Sequence, residues 1–564
     1  MSDTLIPMSH ATETASAAAA HGAAPTSSLL RGGAVWTSRG SGTSAEALLV
    51  RDGRVAWVGS NDVAAGLVDQ VDEVIHLGGR LVTPGIVDAH NHIRLGTGSG
   101  AVQLAGALSL PEVHSRIAGW LDENPDATWI HGEGFDYAAL PEARHPRVTD
   151  LTGAGGGRPV MLLDYSVHAA LLNEPAMKAF GIGPGSGDVP WGTVERDERG
   201  SPTGYVADFA VKGIAKAGQK ALELVSPAYS LDAQYRRVVA GLQMAARFGI
   251  TTVVEPQNSI DDLALFARAR ADGEALPRIV AALFHPAGTS ASTLDAFEAA
   301  RGRYNDDWLR VLPVKLYIDD IVEPHTAAMH EPYANRPDTR GHTYYDAEEF
   351  AEVVSELDGR GFPCFVHATG DRGISMSLDA FAAARTRNGD TDNRHQIVHV
   401  ECTDEADLDR FAALGVVACM QPRHCAPEIV QQWRANVGEQ RWRYAWPMRS
   451  LADRGATLAF SSDWNVAEMD PLVGLYTAVT RANLDGQNAW VPEERIDLET
   501  ALHAYTWGSA YSVQAEADRG DLRVGSAADL TVFSANLFEV EPPELLDATA
   551  DLTMVGGQVV HRTV

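Results

Sequence analysis

Two patterns of hydrophobic and polar positions divide the chain, one at its ends and one in its middle. From about Leu29 short runs of strand character alternate with turns, as in Ala47–Val50 and Val55–Val58, which a turn at 51–54 joins into a predicted hairpin. The same pattern returns near the other end, at Ala528–Phe533 and 552–561. Two strand-rich ends around a different middle predict one small β-sandwich formed from both chain termini.

The middle of the chain alternates short apolar runs with helical patterns, such as those at 235–246, 350–357 and 406–414. Eight of the apolar runs are predicted to be strands buried on both faces: Gly85–Ala89, Pro159–Asp164, Thr251–Glu255, Leu312–Ile318, Cys364–His367, Gln396–His399, Val416–Met420 and Thr457–Ser461. Eight strands with intervening helices favour an α/β fold, a (β/α)8 TIM barrel. An open doubly wound sheet is the alternative, but no glycine-rich dinucleotide loop supports it.

These patterns set the predicted domain boundaries. They are a disordered tail over 1–28, a composite sandwich from 29–83 and 515–564, and a barrel over 84–514 with insertions around 93–158 and 174–229. The tail lacks the basic and apolar regions of a signal peptide. We expect the insertions to cover the active-site face of the barrel, since barrel active sites are built from the loops at one end.

Composition narrows the class of protein. The 564 residues carry a net charge of −30 with 45% hydrophobic residues, which excludes a disordered chain and argues against nucleic-acid or anionic-membrane partners. No run of about 18 apolar residues predicts a membrane span. Four cysteines without a CxxC pair fit a reducing compartment. We therefore expect a cytoplasmic protein that binds a small molecule, with a homodimer as the default assembly.

The first predicted barrel strand ends in a pair of histidines, His90 and His92. Residues two apart on a strand point to the same side, so both imidazoles can face the barrel axis. Such a pair is suited to a divalent metal, although core packing explains many HxH triplets equally well.

Lysine is rare in this chain, and one of its five lysines, Lys315, stands in the apolar run 311–318. It could extend its amine to the surface. If it is buried, its pKa falls, and the neutral amine can add carbon dioxide to give a carbamate with two oxygens for metals.

Three further candidates follow predicted strands. His367 and His399 end two successive strands, and Asp463 follows the eighth, where barrel enzymes carry their active sites. A single histidine there is more often structural, and an aspartate after a strand is often a helix N-cap. Together with the HxH pair, however, they favour a metal site.

An ordered set of motifs carries a family resemblance over about residues 29–562. The motifs are Pro84-Gly85 with Asp88-Ala89-His90-Asn91-His92, Trp129-Ile130-His131-Gly132-Glu133-Gly134-Phe135-Asp136, Pro202-Thr203-Gly204, Val314-Lys315, His367-Ala368-Thr369-Gly370-Asp371-Arg372, Arg394-His395 with His399, Met420-Gln421-Pro422, Ala445-Trp446-Pro447, Ser462-Asp463 and Gly525-Ser526-Ala527-Ala528-Asp529-Leu530. In these the chain resembles the amidohydrolase superfamily, in its amidohydrolase-3 branch of YtcJ-like metal-dependent hydrolases.

The resemblance implies a ligand set for one or two divalent metals, of which zinc is the expected one. The implied ligands are His90, His92, Lys315 as a carboxylated lysine, His367, His399 and Asp463. The chain departs from the family pattern after the strand-four lysine, at 318–323, and after the strand-eight aspartate, at 464–466. Those departures alter the pocket wall.

The expected reaction is hydrolysis of a C–N bond in an amide, formamide, carbamate or cyclic amide by a metal-activated hydroxide. Asp463 is expected to move the proton and His168 to stabilise the oxyanion. The remaining candidates are Trp464, Tyr165, Trp129 and His424 as substrate contacts and Asp371 as a residue that orients a ligand. Packing, or a helix cap for Asp371, is the alternative for each.

Two other functions remain open. A mononuclear deaminase would share the histidines and the aspartate but would not need Lys315. A non-catalytic barrel would have lost its metal site, whereas here all six ligand positions hold competent residues.

Overall fold

A computed structural model describes residues 26–38, 42–43, 45–95, 101–140, 144–213, 216–273 and 276–563. The strands in chain order are β1 Ser27–Val35, β2 Ala45–Arg51, β3 Arg54–Gly59, β4 Glu73–His76, β5 Leu81–Pro84, β6 Ile86–Asp88, β7 Val102–Gln103, β8 Ile130–Phe135, β9 Val160–Asp164, β10 Ala170–Leu172, β11 Thr193–Arg196, β12 Pro202–Ala207, β13 Ile250–Asn258, β14 Arg278–Phe284, β15 Leu309–Tyr317, β16 Cys364–Ala368, β17 Gln396–His399, β18 Val417–Met420, β19 Leu458–Phe460, β20 Leu530–Phe533, β21 Ala550–Val555 and β22 Gln558–Arg562. Residues 1–25 of the predicted tail lie outside the described residues, and β1 begins at Ser27.

The helices lie mainly between the barrel strands and in the insertion. They are α1 Asn61–Ala65, α2 Leu110–Glu123, α3 Glu174–Ala179, α4 Phe209–Lys212, α5 Lys216–Val225, α6 Leu231–Arg247, α7 Leu263–Ala271, α8 Ala291–Arg303, α9 Ala347–Gly359, α10 Asp371–Asn388, α11 Glu405–Leu414, α12 Gln431–Val437, α13 Met448–Asp453, α14 Pro471–Thr480, α15 Leu498–His503 and α16 Ser509–Ser512. None of the described helices is long and apolar enough to span a membrane.

Local sequence explains why α6 forms where it does. The Ser230 side chain caps its first turn by accepting from the amide of Ala233, and Val238, Leu242 and Ala245 bury one face of the helix. The helical spacing at 235–246 therefore predicted this element correctly. The patterns at 350–357 and 406–414 likewise became α9 and α11.

Eight parallel strands form the barrel. Their order is β6, β13, β14, β15, β16, β17, β18 and β19. The amide of Ala89, just after β6, donates to the carbonyl of Phe460 in β19 over 3.2 Å, which brings the first and last strands together. The carboxyl ends of all eight strands therefore meet at one mouth.

One predicted barrel strand is wrong and another was missed. Val160–Asp164 does not pair with the barrel but lies in a separate six-stranded sheet, of order β11, β12, β10, β9, β8 and β7. The second and third barrel strands are instead Ile250–Asn258 and Arg278–Phe284. A fully buried apolar run has the same pattern in either sheet, so periodicity could not assign it. The two predicted insertions are accordingly parts of one long excursion between β6 and β13.

The two ends of the chain form the third sheet, of order β22, β21, β20, β5, β1, β2 and β3, with β4 paired to β1. The two ends of the chain are joined by the antiparallel pairing of β5 with β20, in which Val82 lies opposite Val532. A bidentate ion pair from Arg278 to Asp529, with nitrogen–oxygen distances of 2.8 and 3.0 Å, ties this sheet to the barrel. The predicted α/β fold class with an eight-stranded barrel is confirmed, and the small β-sandwich predicted from both termini corresponds to this one sheet, to which both ends of the chain contribute strands.

Candidate active site at the barrel mouth

The loop after β6 is held by a buried carboxylate, Asp88. Its oxygens accept hydrogen bonds from Asn91 Nδ2 at 2.8 Å, Ser462 Oγ at 2.5 Å and the Ser462 amide at 2.9 Å. Burial raises the pKa of Asp88 to about 6. Because Ser462 follows β19, this network fixes the end of the first strand against the end of the eighth, which places the HxH pair beside Asp463.

His90, His92 and Asp463 form a tight triangle of potential ligand atoms. The Nε2 atoms of the two histidines lie 3.2 Å apart, and each lies 3.2 Å from Oδ1 of Asp463. The ligands of a tetrahedral zinc ion lie about 3.3 Å apart, given Zn–N bonds of about 2.0–2.1 Å. The triangle therefore has the spacing of a cation site.

A second group shares Asp463 and adds His399 and His424. Nδ1 of His399 and Nε2 of His424 each lie 3.8 Å from Oδ2 of Asp463. Nδ1 of His399 donates to Oε1 of Gln421 at 2.9 Å, which leaves its Nε2 free as a ligand atom. His424, expected as a substrate contact, thus lies where a second cation could bind.

Two residues of these groups adopt backbone conformations that residues other than glycine usually avoid. The φ angles of His399 and Asp463 are +80° and +55°, in the left-handed region. Such strained positions cluster at functional sites, where the surrounding structure holds them in place.

Lys315 is fully buried in β15, with 0% of its side chain exposed. The alternative in which its amine reaches the surface is therefore wrong. Nζ has no hydrogen-bond partner and lies over the rings of Tyr317 and Phe365, at 4.7 and 5.3 Å from their centroids. Burial lowers the pKa of Lys315 to about 7, so a neutral amine is available near neutral pH.

His367 lies beside these groups but outside both of them. Its Nε2 donates to the carbonyl of Asp320 at 3.1 Å, and its ring stacks on Tyr317 at 4.6 Å between centroids. The centroid of His399 lies 4.4 Å away. The structure thus brings His367 to the same mouth with a backbone carbonyl as its nearest polar partner.

Electrostatics favour ligand-competent forms of these side chains. Burial lowers the pKa of His90 to about 3 and holds the pKa of His399 well below its usual range, so both imidazoles are neutral, as metal ligation requires. Burial alone would raise the pKa of Asp463, but its close electrostatic contact with His90, His92 and His399 outweighs burial and keeps that pKa well below its usual value.

His168, from the insertion, reaches the pocket and pairs with Asp320. Its Nδ1 makes a short hydrogen bond to a carboxylate oxygen of Asp320, which leaves Nε2 as the second polar atom of the ring. Burial opposes its charge, yet the charge and hydrogen bond of Asp320 raise the pKa of His168 above its usual value. The pKa of Asp320 falls to about 2, because the influence of His168 outweighs burial.

The pocket over this cluster is a narrow cavity of about 90 Å³. Its described lining combines the candidate ligands with residues of the insertion and of the loops after the strands. Those residues are Leu95, Tyr165, Ser166, Val167, His168, Tyr317, Ile321, Glu323, Thr369, Glu401, Ile429, Trp446, Val466 and Ala467. The excursion between β6 and β13 therefore lines the candidate active site, through Leu95 of the first predicted insertion and through Tyr165–His168, which lie outside both predicted insertions.

Comparison with known proteins decides the family. The model of the amidohydrolase family, Amidohydro_3, matches residues 73–561. The chain belongs to the amidohydrolase family.

Curated relatives span nearly its whole length. It is 28% identical to Protein LONG AFTER FAR-RED 3 of Arabidopsis thaliana (94% of this chain, 91% of that one) and 26% identical to the putative amidohydrolase YtcJ of Bacillus subtilis strain 168 (94% and 98%). It is also 26% identical to the N-substituted formamide deformylase of Arthrobacter pascens (91% and 94%). Among solved structures, an uncharacterized metal-dependent hydrolase from Pyrococcus furiosus is 26% identical with a TM-score of 0.69, covering 90% of this chain and 98% of that one.

Three predicted residues of this amidohydrolase lie away from the pocket. Trp129 stacks on His131, with ring centroids 5.8 Å apart, and lines a separate cavity of about 340 Å³ in the insertion. Trp464 is buried in the core, and its carbonyl accepts from the amide of His92. Asp371 accepts from the amide of His330 at 2.7 Å and so holds a loop rather than a ligand. Motif position alone does not report which way a side chain faces.

The structure also adds residues that the sequence did not single out. Asp320 pairs with His168, Gln421 orients His399, and Glu323 and Glu401 line the pocket. Asp320 and Glu323 lie in the stretch that departs from the family pattern, which was the available signal. Only the fold could show that this stretch meets the insertion.

Proposed function

We propose that this amidohydrolase cleaves a C–N bond in a small molecule (an amide, formamide, carbamate or cyclic amide), using divalent cations held at the barrel mouth. The observation that carries the proposal is the convergence of His90, His92 and Asp463 at mutual distances of 3.2 Å. The formamide deformylase among the relatives supports this bond class.

Unpartnered polar atoms support the fit of a metal to this site. Oδ1 of Asp463, Nε2 of His424 and Nζ of Lys315 are all buried and lack hydrogen-bond partners. Buried polar groups are ordinarily satisfied, so this concentration of unsatisfied groups fits the binding of a cation. Nitrogen and carboxylate donors suit zinc, and Lys315 would contribute as a carbamate between two cations.

A bound divalent cation would lower the pKa of a water molecule toward neutrality and polarise a carbonyl oxygen. We expect Asp463 to accept the proton of the attacking water and to deliver it to the departing nitrogen. His168, kept charged by Asp320, donates a hydrogen bond to the carbonyl oxygen as negative charge develops on it. Tyr165 borders the space that remains for the rest of the substrate.

The test is a screen of N-acyl, N-formyl and carbamate compounds with protein loaded with zinc or manganese, in which release of the amine is measured alongside the metal content. We expect amine release with up to two metals per chain, and loss of activity together with loss of metal in Lys315→Ala. Full activity of that variant with one metal per chain would contradict the bridged site and favour a mononuclear deaminase. Absence of both metal and hydrolysis would favour the non-catalytic barrel.

A further inference from the structure

The outer wall of the pocket carries two carboxyl groups that have no positively charged partner. Glu401 is 7% exposed, Glu323 is half-buried, and both line the pocket. Within the described chain, no Lys, Arg or His nitrogen lies within 4.0 Å of either carboxylate, and the described lining contains neither Lys nor Arg. This wall therefore presents carboxyl groups that form no ion pair. Burial raises the pKa of Glu323 to about 7, and burial together with Glu323 holds the pKa of Glu401 well above its usual value, so a cation bound between them would favour their charged forms.

Helix α12 forms hydrogen bonds to both acidic residues. Trp433 donates from Nε1 to Oε2 of Glu401 at 3.0 Å. Gln432 and Asn436 donate to the carbonyl of Glu323 at 3.0 and 2.9 Å. A single short helix thus positions the side chain of one acid and the backbone of the other, so that the pair is a built part of the wall.

Two aromatic rings complete the same wall. Tyr165 and Trp446 line the pocket. Burial raises the pKa of Tyr165 well above its usual value, and the charges of Glu323 and Glu401 add to this rise, so that Tyr165 is within electrostatic range of both acids. Aromatic faces and carboxylates are the two side-chain groups that attract an organic cation.

The pocket is a binding site on independent grounds, because the unpartnered histidine and aspartate atoms of the cation groups lie at its base. A substrate whose carbonyl reaches those groups extends its remaining atoms toward Glu323 and Glu401. A carboxylate or phosphate in that position would meet two carboxyl groups, and the charged His168 of the same lining is already paired with Asp320. A positive charge there would be stabilised.

We propose that Glu323 and Glu401, with Tyr165 and Trp446, form a subsite for a positively charged nitrogen, so that the substrate is a compact cationic amide with an ammonium group away from the bond that is cleaved. The proposal rests on the proposed function for its reaction, but the subsite itself is a claim about binding. The rival explanation is a structural acid pair that never contacts a ligand.

The test compares the binding of n-butylammonium and 1-butanol, which match in shape and differ in charge, to the full-length metal-loaded protein by calorimetry at neutral pH. We expect the cation to bind at least ~10-fold more tightly than the alcohol. Glu323→Gln and Glu401→Gln should each reduce this preference, and the double variant should abolish it. Glu348→Gln, an exposed acid on α9, is the matched control and should keep it.

Equal binding of n-butylammonium and 1-butanol to the unsubstituted protein would overturn the proposed subsite. Because this comparison needs no variant, it holds even if a variant folds poorly. A preference that survives the double substitution would overturn it too, since amine coordination by a metal does not need these acids. Failure of the proposed function is distinguishable, because it would appear as cation binding without hydrolysis of any amide. Hydrolysis of neutral amides without a cation preference would remove the subsite alone.

Discussion

The base and the outer wall of the active-site pocket are built in different ways. The base of the pocket is formed at the carboxyl ends of neighbouring parallel strands. His399 ends β17, and His90 and Asp463 follow β6 and β19. The wall comes from the insertion and from loops, which supply Tyr165, His168 and Glu323. The barrel ladder fixes the candidate cation ligands, whereas long-range loop contacts form the rest of the pocket lining. We therefore expect the chemistry and the specificity of this protein to depend on separate parts of the pocket.

We expect the largest loss of activity from a substitution at the base of the pocket. Asp463→Asn removes the shared carboxylate of both cation groups and the proposed proton acceptor, so we expect kcat to fall by ~10³-fold or more. Steady-state kinetics and metal analysis measure the two losses. Asp409→Asn, at an exposed ion pair with Arg454, is the control and should change neither. A variant that keeps its metal and its activity would contradict the assigned role of Asp463.

Lys315→Met, at the base of the pocket, separates the effect of this lysine on activity from its effect on stability. We expect kcat to fall ~10²-fold, while the metal-free protein becomes more stable, by ~1–4 kcal/mol, because an unpartnered buried amine is replaced by an apolar side chain. The pKa of this lysine is lowered to about 7 in the folded protein, below its value in the unfolded chain. Between these two pKa values the lysine is protonated in the unfolded parent and neutral in the folded parent, so the parent becomes more stable as pH rises. The gain in stability from Lys315→Met should therefore shrink as pH rises from 7 toward 10.

Chemical denaturation in chelator at several pH values measures this gain. A variant that is less stable than the parent at every pH would mean that Nζ has a stabilising partner in the folded protein.

We expect a smaller loss of activity from a substitution in the pocket wall, at the pair that Asp320 forms with His168 of the insertion. Asp320→Asn removes the charge that raises the pKa of His168, so we expect kcat/KM to fall ~10–100-fold and the alkaline loss of activity to begin at lower pH. The contribution of charged His168 to stability is present below pH 6.5 and is lost as pH rises through its raised pKa; that of Asp320 is lost as pH falls toward 2. An unchanged pH profile would show that the pair does not act in the reaction.

The smallest effect is expected outside the pocket. Trp129→Leu should change kcat/KM less than ~2-fold, since Trp129 lines the separate cavity of the insertion. Tyr165→Leu, by contrast, should raise KM several-fold through lost contact with the substrate. Kinetics of the two variants on one substrate make the comparison. Equal effects would mean that the substrate reaches further into the insertion than the pocket indicates.

The sequence predicted the base better than the wall for a physical reason. Parallel strands place their carboxyl ends at one mouth, so residues such as His90 and His399 could be grouped from order alone. Val160–Asp164 shows the limit, because an equally apolar strand joined another sheet. The contact between His168 and Asp320 spans 152 positions, and no local pattern encodes it. His424 shows the same limit, since only the fold revealed its distance to Asp463.

The central claim is that His90, His92 and Asp463 hold a divalent cation. Anomalous diffraction at the zinc absorption edge from crystals of the zinc-loaded protein tests it most directly. We predict a peak about 2.0–2.2 Å from Nε2 of His90, Nε2 of His92 and a carboxylate oxygen of Asp463. Zinc-loaded crystals with no peak between these three side chains would contradict it.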